Sequence, residues 1–158
     1  MKTKKRLLAT LGLWKFGFTK IPLIFFVRPQ IVEMCSTECV IKIPLKRRTK
    51  NHLKSMYFGV LAIGADLSGG LMAMDAIKTS GHKISLIFKD MNVDFLKRVE
   101  GDAFFTCQDG VAITNLVNEA IKTGERVYLP LKITTTVPEK FGREPVAEFT
   151  LTLSLKIK

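Results

Sequence analysis

Three observations predict an α+β fold in which a curled, largely antiparallel sheet wraps one long central helix. Ala147, Phe149, Leu151, Leu153, Leu155 and Ile157 alternate with Glu148, Thr150, Thr152, Ser154, Lys156 and Lys158, a period of two that marks a long strand with one dry face. Residues 55–77 form an apolar segment broken only by Asp66 and Asp75, the pattern of a helix buried on nearly all sides. Helical and extended patterns also come in blocks rather than in strict alternation, which segregates them as in α+β folds. At 158 residues there is room for one core of ordinary size and too little for two.

Taken along the chain, Lys2, Lys4, Lys5 and Arg6 precede the apolar run Leu7 to Trp14, a superficial likeness to a signal peptide. The run is short, Lys15 and Lys20 interrupt the apolar residues beyond it, and no small-x-small cleavage site precedes Pro22. Residues 7–19 therefore read as a basic amphipathic helix, followed by a second apolar stretch from Ile21 to Val27. Residues 1–32 make a helical extension that either covers an edge of the core or attaches peripherally to anionic lipid. Residues 33–158 make the core domain. Cys39, Ile41, Ile43 and Leu45 alternate as a strand. The segment from Ser55 to Ile77 could extend about 34 Å as a helix, enough to imitate a membrane span. Asp66 at its midpoint would cost on the order of 3 kcal/mol in a bilayer, and Gly59, Gly64, Gly69 and Gly70 favour close backbone approach, so a core helix is expected. Lys83 to Leu96 is one long strand or two short ones, and Asp102 to Cys107 a further short strand. A helix fits Val111 to Lys122, introduced by Asp109 and stopped by Gly124. Val127, Leu129, Leu131 and Ile133 alternate again, and Phe141 to Pro145 turns the chain into the last strand.

The net charge of +11 is unevenly placed: residues 1–50 hold 12 Lys and Arg against Glu33 and Glu38, while the rest is nearly neutral. A coat of nucleic acid is not expected, because no aromatic stacking pattern accompanies the charges; a local anion contact or a membrane-facing segment is. Cys35, Cys39 and Cys107 show no disulfide framework and read as small buried residues in a reducing, cytoplasmic compartment. Cys35-x3-Cys39 is half a metal site without partners, His52 and His82 being separated, so no metal is expected. His52 reads as a loop or capping residue, His82 as a surface turn residue and Asp75 as the end of the long helix.

A strand leading into Asn51-His-Leu-Lys-Ser-Met-Tyr-Phe-Gly59, then a long apolar helix carrying Asp66, resembles the hotdog-fold thioesterases, in particular the PaaI-like acyl-CoA group and its uncharacterised relatives. In that family an Asn stands six residues before a His-Gly-Gly that opens the helix, and a catalytic Asp or Glu follows the His by nine. Asn51, Tyr57 and Asp66 keep both spacings. Asp90 to Leu96 and then Gly101-Asp102 resemble the family's second strand and the turn after it. The likeness covers residues 33–158. Three positions depart from it: the family His is Tyr57, the first Gly of the pair is Phe58, and a Gly usual three residues after the Asn is Lys54. Ser85 is the nearest residue to a Ser or Thr that some members carry on the second strand.

The resemblance implies thioester hydrolysis at sites shared between subunits of a homodimer or homotetramer, with coenzyme A present only as part of the substrate and no separate cofactor. Such chemistry needs a donor for the developing oxyanion and a base or nucleophile beyond the carbonyl. The Phe58 N–H at a helix start can be the donor without a side chain, with Tyr57 and Gly59 beside it. Asp66, among Leu61, Ile63 and Leu67, is the base or nucleophile, its pKa raised by burial, and Asn51 or a water positions the attack. Tyr57, though it stands at the family His position, reads rather as a packed core residue with a satisfied hydroxyl. Phe58 and Asp66 lie eight residues apart, about 12 Å along one helix, so a shared carbonyl calls for Phe58 of one subunit and Asp66 of another. Lys46, Arg47, Arg48, Lys50 and Lys54, with Ser55, can form a cationic rim for the coenzyme A phosphates or a solvated loop. The departures at Tyr57 and Phe58 leave a second reading, a non-catalytic protein that binds acyl-CoA or a fatty acyl chain.

Overall fold

The computed structural model describes residues 3–158, so Lys2 of the N-terminal basic cluster lies outside the described residues. The chain opens with two helices, α1 (Thr3–Lys20) and α2 (Pro22–Val27), and continues through strands β1 (Gln30–Met34) and β2 (Cys39–Ile43). The long helix α3 (Phe58–Ser80) is followed by β3 (Ile84–Phe95), β4 (Ala103–Cys107), helix α4 (Gly110–Thr123), β5 (Val127–Thr136), a single helical turn α5 (Pro138–Phe141) and β6 (Pro145–Ile157). The six strands form one antiparallel sheet in the order β1-β2-β4-β5-β6-β3. The expected α+β arrangement, a sheet around one central helix with an additional N-terminal helix, is the architecture found.

The period-two residues of β6 face the core as their pattern requires: Phe149, Leu151, Leu153 and Leu155 are buried, and Glu148 and Lys156 point out. Against this face lies α3, with Val60, Leu61, Ala65, Leu67, Met72 and Ala73 buried. By length and composition α3 could cross a membrane, yet about half of it is enclosed by the rest of the chain. Gly64 shows why small residues recur there. A Cβ on it would come within 2.3 Å of the Phe105 ring, itself fully buried on β4.

Several local expectations shift. α3 begins at Phe58, not Ser55, because hydrogen bonds accepted by the Asn51 and Thr49 side chains hold the preceding loop in another conformation. The helix runs past Asp75 to Ser80 and closes on Gly81 at φ 72°, so Asp75 is an exposed residue of its outer face rather than its end. Lys83 to Leu96 is a single strand with an irregularity between Phe88 and Met91. β1 went unmarked by periodicity: a register shift between Ile31 and Glu33 breaks the alternation, and only Ile31 is fully buried. Asp109 precedes α4 but does not cap it; its carboxylate instead accepts the Lys132 N–H at 2.8 Å, fastening α4 to β5. Cys39 and Cys107 are buried opposite each other on β2 and β4, whereas Cys35 is exposed, contrary to its reading as a core residue.

Candidate functional site

The loop before α3 is organised by two polar side chains. Thr49 is buried; its hydroxyl donates to the Pro44 carbonyl and accepts the Lys46 N–H, both at 2.8 Å, while its own carbonyl accepts the Tyr57 N–H at 2.9 Å. Asn51 Oδ1 accepts from the Leu53 N–H at 2.9 Å and from both the N–H and the hydroxyl of Ser55 at 3.2 Å. These bonds keep the chain extended up to Tyr57 (φ −67°, ψ 137°), so that the helix starts abruptly at Phe58. The intervening Lys54 is left-handed at φ 64°, a conformation L-residues avoid and glycine accepts freely. Lys54 thus retains the backbone shape that the glycine of the resembled family would supply.

At the mouth of α3 the first intrahelical donors are Val60 and Leu61, both bonding to the Tyr57 carbonyl. Among the described residues the N–H groups of Phe58 and Gly59 have no backbone partner, as expected of a helix start. Phe58 lines a pocket of about 190 Å³ together with Asn51, Ser55, Leu61, Phe95, Lys97 and Arg98. Tyr57 is exposed and its hydroxyl makes no hydrogen bond in the described chain, so it is not a core residue with a satisfied hydroxyl. Its ring packs against that of Phe58 at a tilt of 53°, centroids 4.7 Å apart, and a Cβ on Gly59 would strike it at 2.7 Å. Gly59 is therefore what lets Tyr57 fold back over the helix start.

Asp66 lies two turns further on, half-buried, in a second pocket of about 320 Å³ walled by Leu67, Leu71 and Met74 of α3, Leu86 of β3, and Phe16, Ile21 and Ile24 of the N-terminal helices. Its carboxylate has no hydrogen bond or ion pair among the described residues, and burial pushes its pKa upward. The extension thus roofs the pocket of the candidate base, a contribution that no sequence pattern places. Ser85 is adjacent to Leu86 and so lies on the other face of β3, away from Asp66.

One chain does not unite the two halves. The pocket at the helix mouth and the pocket of Asp66 share no lining residue. What links them is β3, whose Leu86 lines the one and whose Phe95 lines the other. β3 pairs with β6 alone and is an edge of the sheet, so its other side is unpaired over twelve residues. Met91 and Phe95 pair opposite the buried Leu151 and Ala147, so they stand on the inward face of β3, yet both are exposed.

The basic residues divide. Arg47, Lys50 and Lys54 are exposed on the loop, and Arg48 turns to α2, donating to the Phe26 carbonyl at 3.3 Å. The cations that line the helix-mouth pocket are Lys97, paired with Glu144 at 2.5 Å, and Arg98, 3.8 Å from Glu100. Both follow β3 in the run Phe95-Leu-Lys-Arg-Val99; placement beside the edge strand, not composition, gives them their position.

Comparison with known proteins places the chain. Residues 13–152 match a family model described as a domain of unknown function, DUF4442. A search of curated proteins finds no match. Among solved structures, a protein of unknown function from Chlorobaculum tepidum superposes with a TM-score of 0.81 at 14% identity, covering 97% of both chains. A Pseudomonas aeruginosa protein named a probable thioesterase gives 0.78 at 23% identity over 94% of this chain and 96% of that one. The thioesterase HI1161 of Haemophilus influenzae gives 0.63 at 15% identity over 85% and 82%.

Proposed function

The chain belongs to the DUF4442 family and has the hotdog fold, and from that premise we propose that it is an acyl-CoA thioesterase whose sites form between two copies of the chain. The observation that carries the reading is Asp66, a half-buried carboxylate in the wall of an apolar pocket, without a hydrogen-bond or ion-pair partner among the described residues. Structural carboxylates at that depth are paired or hydrogen-bonded. A free one with a raised pKa is poised to take a proton from an attacking water near neutral pH, or to attack the carbonyl itself.

The remaining parts follow from the edge strand. If two copies pair antiparallel along β3 about a two-fold axis, the Phe95 end of one strand lies beside the Ile84 end of the other. The helix mouth of one subunit, which neighbours Phe95, then approaches the Asp66 pocket of its partner, which neighbours Leu86. In that arrangement the Phe58 N–H, aided by the partial positive charge of the α3 N-terminus, stabilises the oxyanion as the carbonyl becomes tetrahedral. Asp66 serves the attack from the opposite side, and the Asn51 amide orients water or thioester. Collapse of the intermediate breaks the C–S bond, releasing coenzyme A thiol and a carboxylic acid. Arg47, Lys50, Lys54, Lys97 and Arg98 supply positive charge for the coenzyme A phosphates.

A panel of acyl-CoA substrates, followed by release of free thiol, tests the proposal. Turnover above background that disappears in Asp66→Ala supports it; no turnover at any chain length, or full activity in Asp66→Ala, refutes it. One observation favours a second reading, a non-catalytic acyl-CoA or acyl-chain binder. Phe58, packed at a tilt against Tyr57, puts bulk where the resembled enzymes carry glycine. Co-purified acyl ligand together with tight binding and no turnover would select that reading.

A further inference from the structure

α1 buries Thr10, Leu13 and Gly17 on one side. About 110° further round the helix Leu7, Leu11 and Phe18 fall within about 40° of one another at 100° per residue, and all three are exposed, Leu7 by 60% and Phe18 by 69%. α2 extends this surface with Leu23, 64% exposed, and Phe26, and Phe18 meets Phe25 edge-on at 5.3 Å, joining the two helices into one apolar face. A helix that merely roofs a core carries one apolar stripe, turned inward. This one continues its apolar surface well past the buried residues, through Trp14 to Leu7, Phe18 and Leu11.

The face is framed in positive charge. Residues 1–28 contain seven Lys and Arg and no acidic residue. Lys4 and Lys15 project from the same outward side of α1, and Arg48, bonded to the Phe26 carbonyl, brings the basic loop to the edge of the patch. We propose that this face is a docking surface for anionic lipid, with Leu7, Leu11, Phe18, Leu23 and Phe26 entering the boundary between headgroups and acyl chains and the cations meeting lipid phosphates and carboxylates. A second copy of the chain is a poor occupant, because a self-complementary contact would press one cationic rim against another. The inference is independent of the thioesterase reading.

Sedimentation of the full chain with vesicles tests it, using phosphatidylcholine alone and phosphatidylcholine mixed with phosphatidylserine, at low and high salt. Binding is expected only to the anionic vesicles and is screened by salt. The Lys4→Glu, Lys15→Glu variant weakens it by about tenfold or more, and the Leu11→Asp, Phe18→Asp variant abolishes it. The charge-reversal pair alters exposed residues only and serves as the decisive variant should the apolar pair fail to melt cooperatively. Failure of the wild-type chain to bind anionic vesicles, or unaltered binding by the charge-reversal variant, overturns the proposal. So does a fall in oligomer mass of the apolar variant without any vesicle binding by the wild type, which would give the face to self-association.

Discussion

Lys54 offers the cleanest quantitative test of the loop that positions the helix mouth. At φ 64° a non-glycine residue sacrifices about 1–2 kcal/mol relative to the right-handed region, and the Lys54 amine makes no hydrogen bond or ion pair among the described residues to offset it. Lys54→Gly removes that strain but gives the unfolded chain extra freedom, costing about 0.5–1 kcal/mol. The balance lies between about 0 and 1.5 kcal/mol of gain, centred on about 0.75 kcal/mol. For a chain of this size the central value corresponds to a rise of about 1.5–3 °C in Tm. Lys54→Ala keeps the left-handed strain and loses the same ammonium, so its stability should stay within about 0.5 kcal/mol of wild type. Thermal and urea unfolding of the three proteins side by side decide the matter. A glycine variant no more stable than the alanine variant refutes the argument that the backbone conformation is strained. If Lys54 also contacts coenzyme A phosphates, both substitutions raise KM for acyl-CoA equally while kcat holds.

Asp66→Asn should lower kcat by about 10²–10⁴-fold, the usual worth of a general base, measured by thiol release. The same substitution should raise Tm at pH 7: burial lifts the Asp66 pKa above its ordinary 3.8, so wild-type stability falls as pH rises from that value through the folded-state pKa, and the advantage of Asn should vanish below pH 3.8. Equal melting of the two proteins at pH 7 would contradict the burial argument. Gly64→Ala forces a methyl into the Phe105 ring and should cost about 1–3 kcal/mol or more in urea denaturation, whereas Gly81→Asn at the exposed end of α3 should be tolerated within about 1 kcal/mol. In native protein a thiol reagent should label Cys35 alone, whose pKa is lowered by hydrogen bonds from Thr37. Cys39 and Cys107 are held at about 12 and about 11 by burial and should react only after unfolding.

The strands and the central helix were legible because burial imposes a period on them. β6 faces the core on alternate residues, and α3 is apolar over most of its length because the rest of the chain encloses about half of it. The spacing of Asn51, Tyr57 and Asp66 was legible too, since it reflects a loop and two helical turns of fixed length. What escaped was set by contacts distant in sequence. Nothing local to Phe16, Ile21 or Ile24 says that they close the Asp66 pocket, and nothing local to Lys97 and Arg98 says that they flank the helix mouth. Thr49, an ordinary loop threonine by type, is the buried tie that aims the loop. β1 was hidden because an irregular strand erases its own alternation.

The enclosure of α3 has a consequence for synthesis on the ribosome. Of the strands that cover it, β2 precedes it in the chain; β3, β4, β5 and β6 come later, and β6 ends nearly 80 residues beyond Ser80. At about 5–20 residues per second a nascent α3 therefore waits on the order of 4–15 s with its apolar surface uncovered. During that interval the helix presents to the translation machinery the same features as an emerging membrane anchor, and Asp66, midway along it, is the residue that most strongly opposes such mistaken insertion. A single carboxylate can thus act twice in the life of the chain: once in routing the nascent polypeptide, and afterwards in whatever chemistry the finished fold performs.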